Sequence, residues 1–182
     1  MDRTEPAVIR SLTADEAAIR LDALADLLID AVESGASLGF LPPLARVEAI
    51  DYWSKVVAAL RGGARILLVA ERDGVIDGSV QLDLETRANG RHRAELMKLF
   101  VHRRARRHGL ATVLIAEAED AARGSGQTLL LADTRQGGEA ERLLGKLGWV
   151  RWGAVPGYAR SANGDLHTTV FFYRTLESCT RE

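Results

Sequence analysis

The stretch that decides the fold of this chain is residues 96–112, which reads LMKLFVHRRARRHGLAT. An apolar run, residues 96–101, gives way to a loop that is rich in arginine and ends at Gly109. After the glycine, apolar residues recur at helical spacing: Leu110, Val113, Leu114, Ala118 and Ala121. This pattern predicts a strand, a basic loop and an amphipathic helix that starts at Gly109 and ends near Gly124.

The junction between this loop and helix has the properties of an anion site. The first N–H groups of a helix have no partner within the helix, and the helix dipole adds positive charge there. Gly109 lets a ligand approach the backbone without a side chain between them. Arginine side chains add cations at Arg103, Arg104, Arg106 and Arg107. The sequence therefore predicts a site for a phosphate or pyrophosphate.

The basic loop has other interpretations besides a phosphate site. No Lys-Ser/Thr pair follows the glycine, which excludes a Walker P-loop, and the dinucleotide pattern G-x-G-x-x-G is absent. A solvated basic loop stays open as an alternative. A nucleic-acid patch is disfavoured because the net charge is −1 and no aromatic residues interleave the arginines. We expect no nucleic-acid partner.

Upstream of this stretch the chain predicts one strand, two helices and a hairpin. Residues 7–12 are compatible with a strand, and a capping box at Thr13 and Glu16 starts a helix that continues to Val32. After the break at residues 34–40, a second helix starts at Pro42-Pro43 and ends at Gly62-Gly63. Its apolar stripe is predicted at Val47, Ile50, Ser54, Val57 and Leu60. Asp73-Gly74 predicts a tight hairpin turn between two strands.

Downstream, strands and helices alternate. Residues 127–132 form an almost continuous apolar run, which is typical of a covered strand. Residues 138–147 predict a short helix, and residues 149–155 and 166–175 predict two strands around Asn163-Gly164. The order β-α-α-β-β-β-α-β-α-β-β predicts an α/β (α+β) fold in which helices flank a mixed, mostly antiparallel sheet. We expect a single domain over residues 1–182.

Composition limits the setting and the chemistry. The only cysteine, Cys179, cannot form an internal disulfide, which favours a reducing, cytoplasmic compartment. Residues 1–6 lack the apolar core of a signal peptide and no apolar run reaches membrane length, so no membrane partner is expected. The four histidines, at positions 92, 102, 108 and 167, show no metal-ligand spacing. We predict no metal, and the oligomeric state, including a homodimer, stays open.

The pattern Arg106-x-x-Gly109-x-Ala111 between a strand and a helix resembles the acetyl-CoA pyrophosphate loop of the GNAT N-acetyltransferase superfamily. Ala111 occupies a position where a second glycine is commoner. The order of elements resembles this family over residues 7–175. The resemblance implies an acetyl-CoA-dependent acyltransferase whose strands splay around the cofactor. It implies that the main chain of Leu99, Phe100 and Val101 contacts pantetheine and that the pyrophosphate loop comprises Arg106, Arg107, His108, Gly109, Leu110, Ala111 and Thr112.

Two acids are candidates for proton transfer. A protonated amine cannot attack a thioester until it loses its proton, and a carboxylate commonly accepts it. Glu95 is the acid in an otherwise apolar strand, and Asp133 ends the next apolar strand. The alternative is that Glu95 pairs with Lys98 or an arginine while Asp133 caps a turn. Resemblance to family members that acetylate an amino-acid-type β-lactam toxin implies that both acids are catalytic. The resembling stretches are residues 35–40, 94–99, 133–134, 156–158 and 165–167.

One departure from the family affects the leaving group. Many members protonate the thiolate with a tyrosine, but the matching position here is Leu144. Tyr158, water or an impaired site are the alternatives. Cys179 has no plausible partner base, so we predict no covalent enzyme intermediate. Asp83 and Glu85 add acidity that would attract a cationic acceptor.

The predicted function is direct acetyl transfer to a primary amine of a small molecule, within a ternary complex. The alternatives are a catalytically silent acyl-CoA sensor, which Leu144 favours, and a protein N-terminal acetyltransferase. The latter needs an open peptide groove, which the helix within residues 38–62 is expected to narrow.

Overall fold

The computed structural model describes residues 6–177, which form seven strands and five α-helices. The strands are β1 (Val8–Ser11), β2 (Arg65–Arg72), β3 (Val75–Leu84), β4 (Arg93–Val101), β5 (Leu129–Arg135), β6 (Val150–Arg160) and β7 (Leu166–Thr175). The helices are α1 (Ala14–Ala18), α2 (Leu21–Glu33), α3 (Arg46–Arg61), α4 (Leu110–Gly124) and α5 (Glu139–Lys146), and one 3-10 turn covers Arg103–Ala105. Residues 1–5 and Cys179, which entered the sequence-based predictions, lie outside the described residues.

All seven strands belong to one sheet with the order β1-β2-β3-β4-β5-β7-β6. Every pair of neighbours is antiparallel except β4 and β5, which are parallel. The predicted hairpin is present: Asp73 and Gly74 both adopt positive φ, as a primed two-residue turn requires. The prediction of a mixed, mostly antiparallel sheet flanked by helices is confirmed.

The parallel pair β4–β5 is short, and this is what opens the site. Only three residue pairs join the strands, and the last is Glu95 with Leu131. Beyond it the two strands diverge, so that residues 96–101 lie beside a cleft instead of a neighbouring strand. A β-bulge at Lys98 and Leu99, opposite Val80, accompanies the divergence. The expected splayed strands are confirmed.

Two apolar cores cover the two faces of the sheet. Helix α4 packs on one face against residues such as Leu82, Leu96 and Leu130. Helices α1, α2 and α3 form the second core on the other face with Leu67 and Val69. The helices of the second core lie over β2, β3 and β4. They are on the side of the sheet away from β5 and β7.

Two details of the helices differ from the sequence prediction. The first predicted helix is two helices, α1 and α2, and the break at Ile19 and Arg20 lets the Arg20 guanidinium reach Glu71 on β2 at 2.5 Å. Helix α3 begins at Arg46, not at the prolines, because the Glu48 carboxylate accepts a hydrogen bond from the Ala45 N–H at 3.2 Å.

The predicted apolar stripe of α3 is confirmed in part, because Val57 is buried and Ile50 and Leu60 are partly buried against the second core. Val47 is 74% exposed, and the buried face consists of Ala49, Trp53, Val56 and Val57. The aliphatic pattern alone missed Trp53, whose large ring is fully buried and sets the orientation of the helix. In α4, likewise, Val113 is exposed and Ile115 is buried.

Candidate active site

The divergence of β4 and β5 creates a cleft of about 1160 Å³. Its walls are β4 from Leu96 to Val101, the end of β5 from Ala132, the start of α4 and the side chains of Leu143 and Leu144 on α5. The loop of residues 34–38, which follows α2, closes one side. The segment singled out by the sequence therefore lines the main cavity of the described residues.

At one end of the cleft lies the loop that precedes α4. Arg107 and Gly109 both adopt left-handed φ, of 66° and 77°, which turns successive N–H groups towards the same side. Among the described residues, no group accepts a hydrogen bond from the N–H of Arg107, Gly109 or Ala111. A Cβ on Gly109 would meet nothing within 4 Å, so φ and ligand access, not packing, call for glycine there. The loop fits an anionic ligand.

The four arginines of this loop divide into two groups. Arg103 donates to Asp30 at 2.5 Å and Arg104 to Asp77 at 2.7 Å, so the protein itself neutralises both charges. Arg106 donates to the Val101 carbonyl at 2.9 Å and to the Ser34 hydroxyl. Arg107 is exposed and forms no ion pair within residues 6–177. The expectation that all four arginines add cations to the site is therefore corrected: Arg103 and Arg104 are paired with acids, whereas Arg106 and Arg107 form no ion pair within residues 6–177.

The residues expected to contact pantetheine lie along the open edge of β4. Phe100 and Val101 are buried in opposite cores and Leu99 is half-buried, so their side chains hold the strand in place. Their backbone lines the cleft beyond the last pair with β5. His108, by contrast, is exposed and is not among the residues that line the cleft.

Glu95 and Asp133 lie on the same face of the sheet. Glu95 is paired with Leu131 across the parallel ladder, and Asp133 follows two residues later on β5, which places both carboxylates on one side of the pleat. Within the described residues neither forms a hydrogen bond through its carboxylate or an ion pair, so no contact supports the alternative in which Glu95 pairs with Lys98. Asp133 lines the cleft and Glu95 stands beside it on the adjacent strand.

The surroundings shift the protonation of both acids in the same direction. Burial raises the pKa of Glu95, and the neighbouring carboxylates of Asp133 and Asp83 raise it further. Burial also raises the pKa of Asp133, although its side chain is open to the cleft, and the Lys98 ammonium acts in the opposite direction. A carboxyl whose pKa is raised towards neutrality is better matched to proton transfer near pH 7.

Lys98 lines the cleft as well, although the sequence interpretation assigned it no role in the site. It occupies the β4 bulge with φ of 53°, and its Nζ donates to the Leu38 carbonyl at 2.6 Å. The same Nζ lies 5.8 and 5.9 Å from the ring centroids of Phe40 and Tyr52. Burial lowers the pKa of this ammonium, while the nearby Asp133 raises it. The signal in the sequence was the position of Lys98 within residues 96–101, which are otherwise apolar.

The other acids on this side of the sheet are neutralised. Arg65 donates to Asp83 at 2.7 Å and also to the side-chain oxygen of Gln81 at 3.1 Å. Arg93 donates to Glu85 at 2.8 Å, and Glu85 also accepts from Arg87, whose hydrogen bonds lower the pKa of Glu85 to about 2. Arginines therefore pair with both Asp83 and Glu85, which corrects the expectation that these two acids attract a cationic acceptor.

The two residues considered for protonating the thiolate lie in different places. Leu144 on α5 is buried and lines the cleft. Tyr158 on β6 is 57% exposed and is not among the cleft-lining residues; its ring packs edge-on against Phe171 at 5.4 Å. Phe171 is the cross-strand partner of Asp133, so Tyr158 lies on the same face of the sheet as that acid.

The sequence profile of the acetyltransferase (GNAT) family matches residues 29–149, which contain the loop, both acids and the cleft. This chain belongs to the GNAT acetyltransferase family. An uncharacterized N-acetyltransferase from the hisH–hisA intergenic region of Azospirillum brasilense is 41% identical over 115 residues, which are 62% of this chain and 67% of the relative. The protein is therefore an acetyl-CoA-dependent N-acetyltransferase, with acetyl-CoA as co-substrate.

Solved structures share the fold over almost the whole chain. A ribosomal-protein-alanine N-acetyltransferase from Brucella melitensis is 26% identical with a TM-score of 0.76, over 93% of this chain and 99% of its own. An acetyltransferase from Salmonella typhimurium, solved with its cofactor acetyl-CoA, is 20% identical with a TM-score of 0.76 over 97% and 98% of the two chains.

Two features are absent from the described residues of this GNAT enzyme. Residues 6–177 contain no group of three or more histidine, cysteine or acidic residues placed to hold a metal ion. Among the same residues, no helix has the length and apolar character needed to cross a membrane.

Proposed function

We propose that this GNAT enzyme transfers acetyl from acetyl-CoA directly to a primary amine of a small molecule. The observation that carries the proposal is the pair Glu95 and Asp133: two carboxylates on one face, at the opened end of the β4–β5 pair, without an ion-pair partner among residues 6–177. A carboxylate without a paired cation can receive an ammonium and accept its proton.

The co-substrate is proposed to lie along the cleft from the α4 end to the acids. Its pyrophosphate would meet the free N–H groups of the loop and the charges of Arg106 and Arg107, and its pantetheine would follow the open edge of β4. The residues proposed to contact acetyl-CoA are Leu99, Phe100 and Val101 through their main chain, and Arg106, Arg107, His108, Gly109, Leu110, Ala111 and Thr112. Of these, His108 alone is not among the residues that line the cleft.

The proposed chemistry transfers one acyl group and removes two protons from the nitrogen, the first to a base before the attack and the second through water to the departing thiolate. Asp133 or Glu95, directly or through a water, takes a proton from the ammonium, and the freed nitrogen lone pair attacks the thioester carbonyl. Collapse of the tetrahedral intermediate breaks the C–S bond and releases the thiolate of coenzyme A. Leu144 has no proton for this thiolate. Tyr158 is the protein-borne candidate, but its position outside the cleft lining favours water as the donor.

For the acceptor we propose an amino-acid-like or β-lactam amino compound. Similarity of the stretches at residues 35–40, 94–99 and 133–134 to the tabtoxin resistance protein supports this class. The site also fits a zwitterion, because it offers carboxylates to an ammonium and, at Lys98, a cation to an acidic group.

A thiol-release assay with acetyl-CoA and a panel of amines tests the proposal. We expect steady release of coenzyme A with compact primary amines and little with alcohols or phenols. Binding of acetyl-CoA with no release for any acceptor would contradict the proposal and favour the acyl-CoA sensor.

A protein N-terminal acetyltransferase is the second candidate, and the likeness to the Brucella melitensis enzyme favours it. Against it stands the loop that follows α2, which Lys98 holds beside the cleft. Peptides that begin with alanine should be poorer acceptors than free amino compounds; faster acetylation of such peptides would make this candidate the better one.

A further inference from the structure

Three aromatic side chains form a cluster on the last two strands of the sheet. The centroid of the Phe171 ring on β7 lies 5.7 Å from that of Trp152 and 5.4 Å from that of Tyr158, both on β6. Trp152 is 63% exposed and Tyr158 is 57% exposed, whereas the other two tryptophans, Trp53 and Trp149, are buried. Two large rings therefore face solvent, although burial of such rings is favourable.

Two irregularities of the β6 backbone accompany this aromatic cluster. The register with β7 shifts once within residues 151–153 and once within residues 155–159. The first shift contains Trp152, and the second contains Tyr158 and Gly157, which has a left-handed φ of 64°. Because a β-bulge changes the direction of the side chain that it contains, the backbone of β6 directs both rings towards Phe171.

The aromatic cluster lies directly beside the acids of the candidate active site. Phe171 is the cross-strand partner of Asp133, and the residues next to them, Phe172 and Ala132, belong to the first core. Since side chains alternate along a strand, Phe171 and Asp133 both point to the second face of the sheet. Directly opposite residues have Cβ atoms about 5 Å apart. A ligand held by the Asp133 carboxylate therefore reaches the rings.

The chemistry of this surface fits an amine with an apolar part. The helices of the second core lie over β2, β3 and β4, so the rings on β6 and β7 are open to a ligand. Aromatic rings stack on flat apolar groups, and the adjacent carboxylate attracts an ammonium. A molecule that carries both groups matches the rings and Asp133 together.

A second copy of this chain matches the surface less well. A protein that covered the rings would also bury the neighbouring Asp133, which has no ion-pair partner within residues 6–177, and burial of an unpaired charge is costly. The edge of β6 is also a poor template for another strand. Pro156 has no N–H to donate, and the two register shifts interrupt the row of backbone groups.

We propose that Trp152, Tyr158 and Phe171 bind the apolar group of the acceptor, and that the preferred acceptors are primary amines with an aromatic or flat apolar group two carbon atoms from the nitrogen. This inference rests on the proposed function, in which Glu95 and Asp133 receive the ammonium, and it narrows the class of acceptor. The rings determine specificity and exchange no proton with the substrate.

Quenching of tryptophan fluorescence by acrylamide measures whether a ligand covers the aromatic cluster, because Trp152 is the exposed tryptophan. The probes are 2-phenylethylamine and ethylamine, which share the ammonium and the two-carbon chain and differ in the ring. Coenzyme A is added to fill the co-substrate site without donating acetyl. We expect 2-phenylethylamine to reduce the quenching of the wild-type protein in a saturable manner and ethylamine to leave it unchanged. Equal quenching with both amines overturns the inference.

Variants of Trp152 test the preference itself. Trp152→Ala removes a ring, Trp152→Phe keeps one, and Val113→Ala is the control, because Val113 is an exposed apolar residue on α4, which packs on the other face of the sheet. The ratio of kcat/KM for 2-phenylethylamine to that for ethylamine should fall roughly two- to tenfold in Trp152→Ala, the worth of one aromatic contact. It should stay near the wild-type value in the other two variants. An unchanged ratio in a folded Trp152→Ala protein contradicts the proposal.

Two further outcomes separate this inference from its alternatives. Shielding of Trp152 by 2-phenylethylamine without acetyl transfer to any amine supports the aromatic binding surface and refutes the proposed function. Shielding that appears without amine as the protein concentration rises, with a dimer in analytical ultracentrifugation that Trp152→Ala dissociates, shows that a second copy covers the rings and overturns the inference. The fluorescence measurement uses the wild-type protein, so it decides the question even where Trp152→Ala does not fold.

Discussion

Two pairs of carboxylates in this molecule differ in whether an arginine pairs with them. Asp30 and Asp77 lie under the 3-10 turn after β4, and each accepts hydrogen bonds from an arginine, at 2.5 Å from Arg103 and 2.7 Å from Arg104. Glu95, on β4, and Asp133, on β5, have no such partner in the described chain. Removing charge from water costs free energy that a paired cation offsets. Cations thus stabilise the first pair, and the second, which lacks them, is the pair that we propose to act in proton transfer.

The largest effect should follow from removing the charge of the second pair. Asp133→Asn and Glu95→Gln preserve shape but cannot accept a proton, so turnover should fall roughly 10²–10⁴-fold for the residue that acts as general base. Acetyl-CoA affinity, measured by calorimetry, should barely change. Activity within a few-fold of the wild type in both variants would assign these acids a structural role.

The comparison extends to the opposite end of the cleft, where the loop before α4 presents backbone N–H groups that have no acceptor among residues 6–177. Gly109→Glu adds a negative charge beside the proposed pyrophosphate and should weaken acetyl-CoA binding roughly hundredfold, an estimate from Coulomb's law at the protein surface. Gly109→Ala is the matched control, because its Cβ meets nothing within 4 Å and only the left-handed φ is strained. Equal affinity in a folded Gly109→Glu protein would show that the loop does not bind the co-substrate.

Mutation of the first pair, Asp30 and Asp77, should change the stability of the protein and leave its turnover nearly unchanged. Asp77 is 1% exposed, and Asp77→Asn leaves the Arg104 guanidinium without its counter-charge. The expected loss of unfolding free energy is about 3 kcal/mol, measured by denaturant unfolding, while turnover per folded molecule stays within a few-fold of the wild type. An Asp77→Asn protein as stable as the wild type would remove the distinction between the two pairs.

The smallest expected effect is a change in stability when Glu95 is replaced. It is a gain in stability, not a loss. Because folding raises the pKa of Glu95, ionisation of this group destabilises the native state at neutral pH. Glu95→Gln should therefore raise the melting temperature slightly at pH 7. Below the ordinary glutamate pKa of 4.5, where the carboxyl is protonated in both states, the gain should vanish. A melting temperature that falls at pH 7 would indicate that Glu95 has a stabilising partner.

Local sequence signals predicted the sheet, the Asp73-Gly74 hairpin and the strand-loop-helix segment, because each depends on neighbouring residues. Local sequence patterns did not predict the break between α1 and α2, where Arg20 contacts Glu71, a residue 51 positions away along the chain. The pairing of Asp83 with Arg65 and the separate fates of the four loop arginines are tertiary for the same reason. Lys98 was overlooked because its bulge arises only where β3 and β4 pair.

The most direct test of the central claim is a two-substrate initial-rate study, because direct transfer requires amine and acetyl-CoA to be bound together. Rates measured at varied concentrations of both substrates are expected to give intersecting double-reciprocal lines, with no acetylated enzyme detected by mass spectrometry. Parallel lines, or a trapped acetyl-enzyme, would contradict direct transfer and require a nucleophile on the protein.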